Sequence, residues 1–143
     1  MKILISACLL GIPCRYDGRA KPQPWAEALA ARHDLVPVCP EQLGGLPTPR
    51  APSERRGDHV VMNTGADVTE QYRRGAEAAL RLCRLTGCEA AILKERSPSC
   101  GCGEIYDGSF SGTLTAGDGV TAELLRKNGV PVYGESRVAA LLD

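Results

Sequence analysis

Lys2-Ile-Leu-Ile-Ser-Ala-Cys-Leu-Leu-Gly-Ile-Pro-Cys-Arg-Tyr-Asp-Gly18 decides how the chain is read, because an apolar run passes directly into a loop with two cysteines, two glycines and a proline. Lys2 to Ala7 does not alternate between apolar and polar residues. That pattern predicts a strand buried on both faces, as in a parallel sheet covered by helices. Its loop then begins at the carboxyl end of the strand, which places Cys8 at the rim of the sheet. The arrangement recurs twice: Leu35-Val-Pro-Val38 ends at Cys39, and Glu89-Ala-Ala-Ile-Leu93 runs into Lys94-Glu-Arg-Ser-Pro-Ser-Cys100. Pro37 withholds one ladder hydrogen bond, which points to an edge position for the second strand.

Between these strands the punctuation is helical or irregular. Trp25 to Arg32 is Ala-rich, with Trp25 and Leu29 at an i, i+4 spacing, and reads as a helix entered through Pro22 and Pro24. From Pro40 to Gly57, Pro40, Pro47, Pro49, Pro52 and the pair Gly44-Gly45 predict an ordered but irregular loop rather than a helix. Loops this long in compact domains are commonly functional. His59 to Met62 reads as a brief extended piece. Asp67-Val-Thr-Glu70 carries the side chains of a capping box, opening a helix to about Thr86. Its apolar or small positions Val68, Tyr72, Gly75, Ala76, Ala79, Leu82 and Cys83 recur at helical spacing, and Gly87 stops it.

A glycine-rich run from Gly101 to Gly119 predicts a second long loop with a hairpin turn at Asp107-Gly108. Val120 to Asn128 reads as a helix stopped by Gly129, Val130-Pro-Val-Tyr133 as a fourth strand, and Ser136 to Leu142 as a last helix with Ser136 as N-cap. The order of elements predicts an α/β fold, a Rossmann-like three-layer domain with a mostly parallel sheet of about four strands. Residues 1–143 read as a single domain. Such sheets bind ligands beyond the carboxyl ends of their strands, near the point where strand order reverses. Cys8, Cys39 and Cys100 are therefore expected on one edge.

Lys plus Arg and Asp plus Glu each count 17. The resulting zero net charge argues against a sequence-independent nucleic-acid binder that relies on phosphate neutralisation. Arg55-Arg56 and Arg73-Arg74 read as solvated faces. The apolar run at Met1–Ser6 is too short for a signal peptide, and no stretch approaches the roughly 18 apolar residues of a membrane span. A cytoplasmic protein is expected. Seven cysteines in a reducing compartment point to metal ligands or redox groups rather than disulfides. No dinucleotide fingerprint, P-loop or nucleophile elbow occurs.

The cysteines divide by position. Cys83 falls on the packed face of a helix and Cys88 at the far end of the third strand, so both read as small buried hydrophobes. Cys8, Cys39 and Cys100 sit in loops with no core to fill and read as functional. Cys14 is either a fourth ligand or a thiol beside the ligands, and Cys102 a loop residue. Structural zinc sites draw on closely spaced pairs, and the nearest such pair is Cys100-Gly-Cys102, so zinc is poorly signalled. Iron-sulfur clusters also take thiolates, and a four-iron cluster held by three of them leaves one iron open as a Lewis acid. Glu41, two residues after Cys39, has the position of a general acid or base, and equally that of a surface glutamate capping a turn. Ser97, three before Cys100, can orient water or substrate, although Ser-Pro is also an ordinary turn starter.

Ser6-Ala-Cys-Leu-Leu-Gly11 with Cys14-Arg-Tyr-Asp-Gly18, Cys39-Pro-Glu-Gln-Leu-Gly-Gly-Leu-Pro-Thr-Pro-Arg50, Asp67-Val-Thr69 and Leu93-Lys-Glu-Arg-Ser-Pro-Ser-Cys-Gly101 together resemble the thiouracil desulfidase family, formerly catalogued as a domain of unknown function. The resemblance spans nearly the whole chain. It implies a Rossmann-like domain with a [4Fe-4S] cluster bound by three cysteines, which by motif position are Cys8, Cys39 and Cys100. It implies non-redox removal of sulfur from a thiolated nucleobase such as 2-thiouracil, giving uracil and hydrosulfide. Glu41 and Ser97 match the polar residues expected near the open iron, and Cys14 also lies in the family pattern. The implied partner is a small thiolated base or nucleoside, with no membrane and no stable nucleic-acid binding. An alternative of a different class is a cluster- or zinc-bearing protein that binds sulfur or senses oxidation without turnover.

Overall fold

The computed structural model describes residues 1–142. Strand β1 (Lys2–Ser6) opens it and passes into a 3₁₀ turn at Ala7–Leu10. Helix α1 (Ala26–Arg32) leads to strand β2 (Asp34–Val38), which ends at Cys39 and helix α2 (Pro40–Leu43). Strands β3 (Ser53–Arg56) and β4 (His59–Met62) form an antiparallel hairpin before helix α3 (Thr69–Thr86). Strand β5 (Ala90–Leu93) is followed by a second antiparallel pair, β6 (Glu104–Tyr106) and β7 (Leu114–Ala116). Helix α4 (Val120–Lys127), strand β8 (Val132–Gly134), a 3₁₀ turn at Glu135–Arg137 and helix α5 (Ala139–Leu142) complete the described chain.

Four strands make one parallel sheet in the order β2-β1-β5-β8. The continuous apolar reading of the first strand has its reason here, since Ile3, Leu4 and Ile5 are all fully buried. Ile3 and Ile5 pack with Leu29 and Val138 on one face, and Leu4 packs with Ala79, Leu80 and Leu125 on the other. This is a Rossmann-like three-layer arrangement, with α1 and α5 on one side and α3 and α4 on the other. β2 lies at the edge, as Pro37 indicates. β1 has β2 on one side and β5 on the other, so strand order reverses between β1 and β5. That crevice opens at the loops after Ser6 and Leu93.

Several local expectations are corrected. The stretch after Cys39 is not wholly irregular: Pro40 takes the first turn of α2, where its missing N–H costs nothing. Residues 53–56 form β3 by pairing with residues 59–62. The capping box does not form, because α3 begins at Thr69 with Val68 as N-cap; Asp67 instead accepts the Thr69 amide at 2.9 Å. The β6–β7 connection is longer than a two-residue turn, because the amides of Gly108 and Phe110 both donate to Glu54 Oε1 at 3.0 Å and draw the loop onto β3. Ser136 caps no helix; its amide and hydroxyl bind the Glu95 carboxylate at 3.1 and 2.7 Å.

Candidate active site

Each cysteine loop is set by a local device at a strand end. After β1 the 3₁₀ turn holds Cys8, and Gly11 closes it at φ 98°, a left-handed conformation that favours glycine. The Cys8 carbonyl accepts the amides of Gly11 and Lys21, at 3.2 and 2.9 Å, which folds the loop back on itself and brings in Cys14. After β2, Cys39 is the N-cap of α2, and Glu41 lies in the first turn of that helix. After β5, the Ser97 hydroxyl oxygen accepts the amides of Ser99 and Cys100, both at 3.1 Å. The Ser6 hydroxyl ties the first and third loops together by accepting the Lys94 amide at 2.9 Å.

Cys8, Cys14, Cys39, Glu41, Ser97 and Cys100 all line one cavity of about 570 Å³ at this edge of the sheet. Cys8 and Cys14 belong to the packed cluster on one face of the sheet, and Cys100 to the cluster on the other. The thiols thus approach the cavity from both sides of the sheet edge. Cys102 does not line it and packs toward the Val132 carbonyl at 3.6 Å. Cys83 is buried on α3 beside Cys88, as a structural pair at the opposite end of the strands.

The environment favours the protonated thiol at Cys14, Cys39 and Cys100. Burial, with the nearby Glu41 charge, pushes the Cys100 thiol up to about 12. Hydrogen bonding to Cys14 and burial push Cys39 up as well. Cys14 is pushed up to about 11, where hydrogen bonding from Cys39 pulls it down but is outweighed by Cys8 and by burial. A group that binds thiolates here must displace protons.

Among the described residues, no three His, Cys, Asp or Glu side chains are close enough to share one metal ion. The cysteines Cys8, Cys14, Cys39 and Cys100 all line one cavity, and a four-iron cluster takes cysteine thiolates as its ligands. The donor set is all sulfur, which matches iron-sulfur ligation.

Sequence reading missed two residues that shape the carboxylate. Arg50 Nη2 and Nε donate to Glu41 Oε2 at 2.9 and 3.2 Å, and the Tyr72 hydroxyl donates to the same oxygen at 3.3 Å. Burial and the Glu41 charge raise the Tyr72 phenol, so it stays a donor. Neither residue had a local signal. Arg50 stands in a proline-rich loop, and Tyr72 reads as an ordinary buried position of α3.

The model of the family described as 2-thiouracil desulfurase matches residues 3–137. A protein of Bacillus subtilis (strain 168), YbbK, described as uncharacterized, is 42% identical over 150 residues, covering 98% of this chain and 99% of its own. A solved structure described as a [4Fe-4S]-dependent thiouracil desulfidase, TudS, is 52% identical and superposes with a TM-score of 0.93, covering 98% of this chain and 94% of that one.

Proposed function

The chain belongs to the 2-thiouracil desulfurase family, and we propose that it is a four-iron, four-sulfur-dependent thiouracil desulfidase whose cluster is held by Cys8, Cys39 and Cys100. The likeness to TudS over nearly both chains supports the enzyme and its cofactor. The observation that carries the residue assignment is the meeting of three strand-end cysteine loops, with Glu41 and Ser97, on one cavity.

The reaction takes a thiobase and water to the oxo base and hydrosulfide. Water contributes its oxygen to the ring carbon, the carbon–sulfur bond breaks, and no electrons are gained or lost overall. When bound, the cluster supplies an open iron as a Lewis acid for the thiocarbonyl sulfur. Glu41 takes a proton from the attacking water. Its Oε2 already accepts three hydrogen bonds, so Oε1 is the oxygen left for that task. The Ser97 oxygen is occupied by two amides, but its O–H remains a donor to substrate or water. Cys14 lines the same cavity and stands beside the ligand set.

The substrate is a small thiolated base or nucleoside, and the zero net charge disfavours stable nucleic-acid binding. No helix among the described residues is long and apolar enough to cross a membrane. A cytoplasmic, single-domain enzyme over residues 1–143 fits the sequence. Anaerobic reconstitution with iron and sulfide, followed by incubation with 2-thiouracil, tests the function. Formation of uracil and hydrosulfide in equal amounts is expected, and a loaded protein that turns over no thiobase would return the choice to a sulfur-binding or redox-sensing role.

A further inference from the structure

Arg50 is the most completely engaged side chain at the site. Its side chain is 3% exposed, and all five of its N–H donors have acceptors. Nε and Nη2 reach Glu41 Oε2, Nη2 also reaches the Cys14 carbonyl at 3.0 Å, and Nη1 reaches the Pro47 carbonyl at 3.2 Å and Thr48 Oγ1 at 3.0 Å. The Arg50 backbone amide donates to the Tyr16 carbonyl at 2.8 Å. One residue therefore ties the loop after β1 to the loop after β2. Arginine suits this because its rigid fork presents five donors in one plane, whereas lysine offers a single mobile point charge.

We propose that Arg50 is the positioning residue for Glu41. It occupies Oε2 and leaves Oε1 of this cavity-lining residue to the water, and its bond to the Cys14 carbonyl keeps the carboxylate in register with the first cysteine loop. Burial alone works against the guanidinium charge, and Glu41 offsets that cost, so the two are held together as a pair. The role rests on the desulfidase reading, since it acts through Glu41 on the attacking water.

The test uses cluster-loaded wild type, Arg50→Ala, Arg50→Lys, Glu41→Gln and the Glu41→Gln/Arg50→Ala double variant, with iron and sulfide counted in each. Arg50→Ala is expected to lose roughly 100-fold in kcat, the cost of misplacing a reacting group by about an ångström. KM and iron content should stay close to wild type. Guanidinium in the buffer should restore part of the rate of Arg50→Ala and none of that of Glu41→Gln. The double variant should be no slower than Glu41→Gln. Arg50→Lys should fall between wild type and Arg50→Ala, and it serves as the test if Arg50→Ala does not fold.

Unchanged kcat in either folded Arg50 variant would overturn the proposal, as would losses that add in the double variant. Loss of the cluster in both Arg50 variants would equally overturn it, because Arg50 would then serve cluster retention. A loaded wild type inactive on thiobases sinks the desulfidase reading together with this one. An active wild type with an indifferent Arg50 sinks this one alone.

Discussion

Glu41 and the cavity cysteines carry separable proposals, because Glu41 is assigned to move protons and Cys8, Cys39 and Cys100 are assigned to hold the cofactor. Glu41→Gln keeps the shape of the side chain and removes its basicity. It should lower kcat by about 10²- to 10⁴-fold, the usual worth of a positioned acid or base, with iron content unchanged. Full activity in a fully loaded Glu41→Gln protein would remove it from the mechanism. Cys8→Ser, Cys39→Ser and Cys100→Ser should each lose cluster iron and sulfide. Cys14→Ser should retain them, because Cys14 is assigned as a neighbour of Cys8 and Cys39 rather than a ligand. An iron count that falls with Cys14→Ser and holds with Cys39→Ser would exchange the two residues. The sequence pattern alone left Cys14 open, because six residues of loop do not fix where a thiol points.

Helices α2 and α3 approach so closely that side chains are excluded between them. A Cβ on Gly75 would lie 1.9 Å from the Pro40 carbonyl oxygen, and one on Gly44 would lie 1.9 Å from the Gln71 carbonyl oxygen. Gly75→Ala therefore has to push the two helices apart. Overpacking of this kind costs about 1–3 kcal/mol, which denaturant unfolding of the cluster-free protein would measure. Because Pro40 is the neighbour of Glu41, the same variant should also lower kcat. Gly87→Ala, at φ 74° with open space around it, should cost stability without touching kcat. Equal effects of the two variants on turnover would sever the link from α3 to the carboxylate. Sequence reading placed Gly75 among the small positions of α3 but treated residues 40–57 as irregular. Four residues of helix opening on proline have no periodicity to detect, and docking on α3 is what makes that turn helical.

Across the whole molecule, the β3–β4 hairpin is joined to α4 by Arg55, whose Nη2 meets Glu123 Oε2 at 2.7 Å while Nη1 donates to the Asp118 carbonyl at 2.8 Å. The hydrogen bond from Arg55 holds the Glu123 carboxyl below its usual range. A carboxyl with a depressed folded-state value stabilises the fold above its unfolded value, and that contribution is lost as pH falls through the folded value. Glu123→Gln should therefore melt below wild type at neutral pH, with the gap closing in acid. A gap that persisted under acid would mean that the pair is not its source. Glu123 is partly exposed, so the difference should be small. Chelating the cluster should lower the melting temperature further, since a group bound only by the folded state stabilises it by mass action.

The layered parallel sheet, its edge strand and the placing of three cysteines at strand ends were legible from local pattern. Each rests on a few adjacent residues: the apolar run Ile3–Ile5, the proline at position 37, and the change from strand to glycine and proline at Cys8, Cys39 and Cys100. Whether those ends face one cavity depends on strand order, which no single segment encodes. The helix at Pro40–Leu43, the loop drawn onto Glu54 and the five-fold engagement of Arg50 depend on partners far along the chain or on the other side of a loop. Local sequence sets which backbone conformations are available. Long-range packing and hydrogen bonding then choose among them, and so Glu41 was legible as a candidate in the sequence while the arginine that holds its carboxylate came to light only in the folded chain.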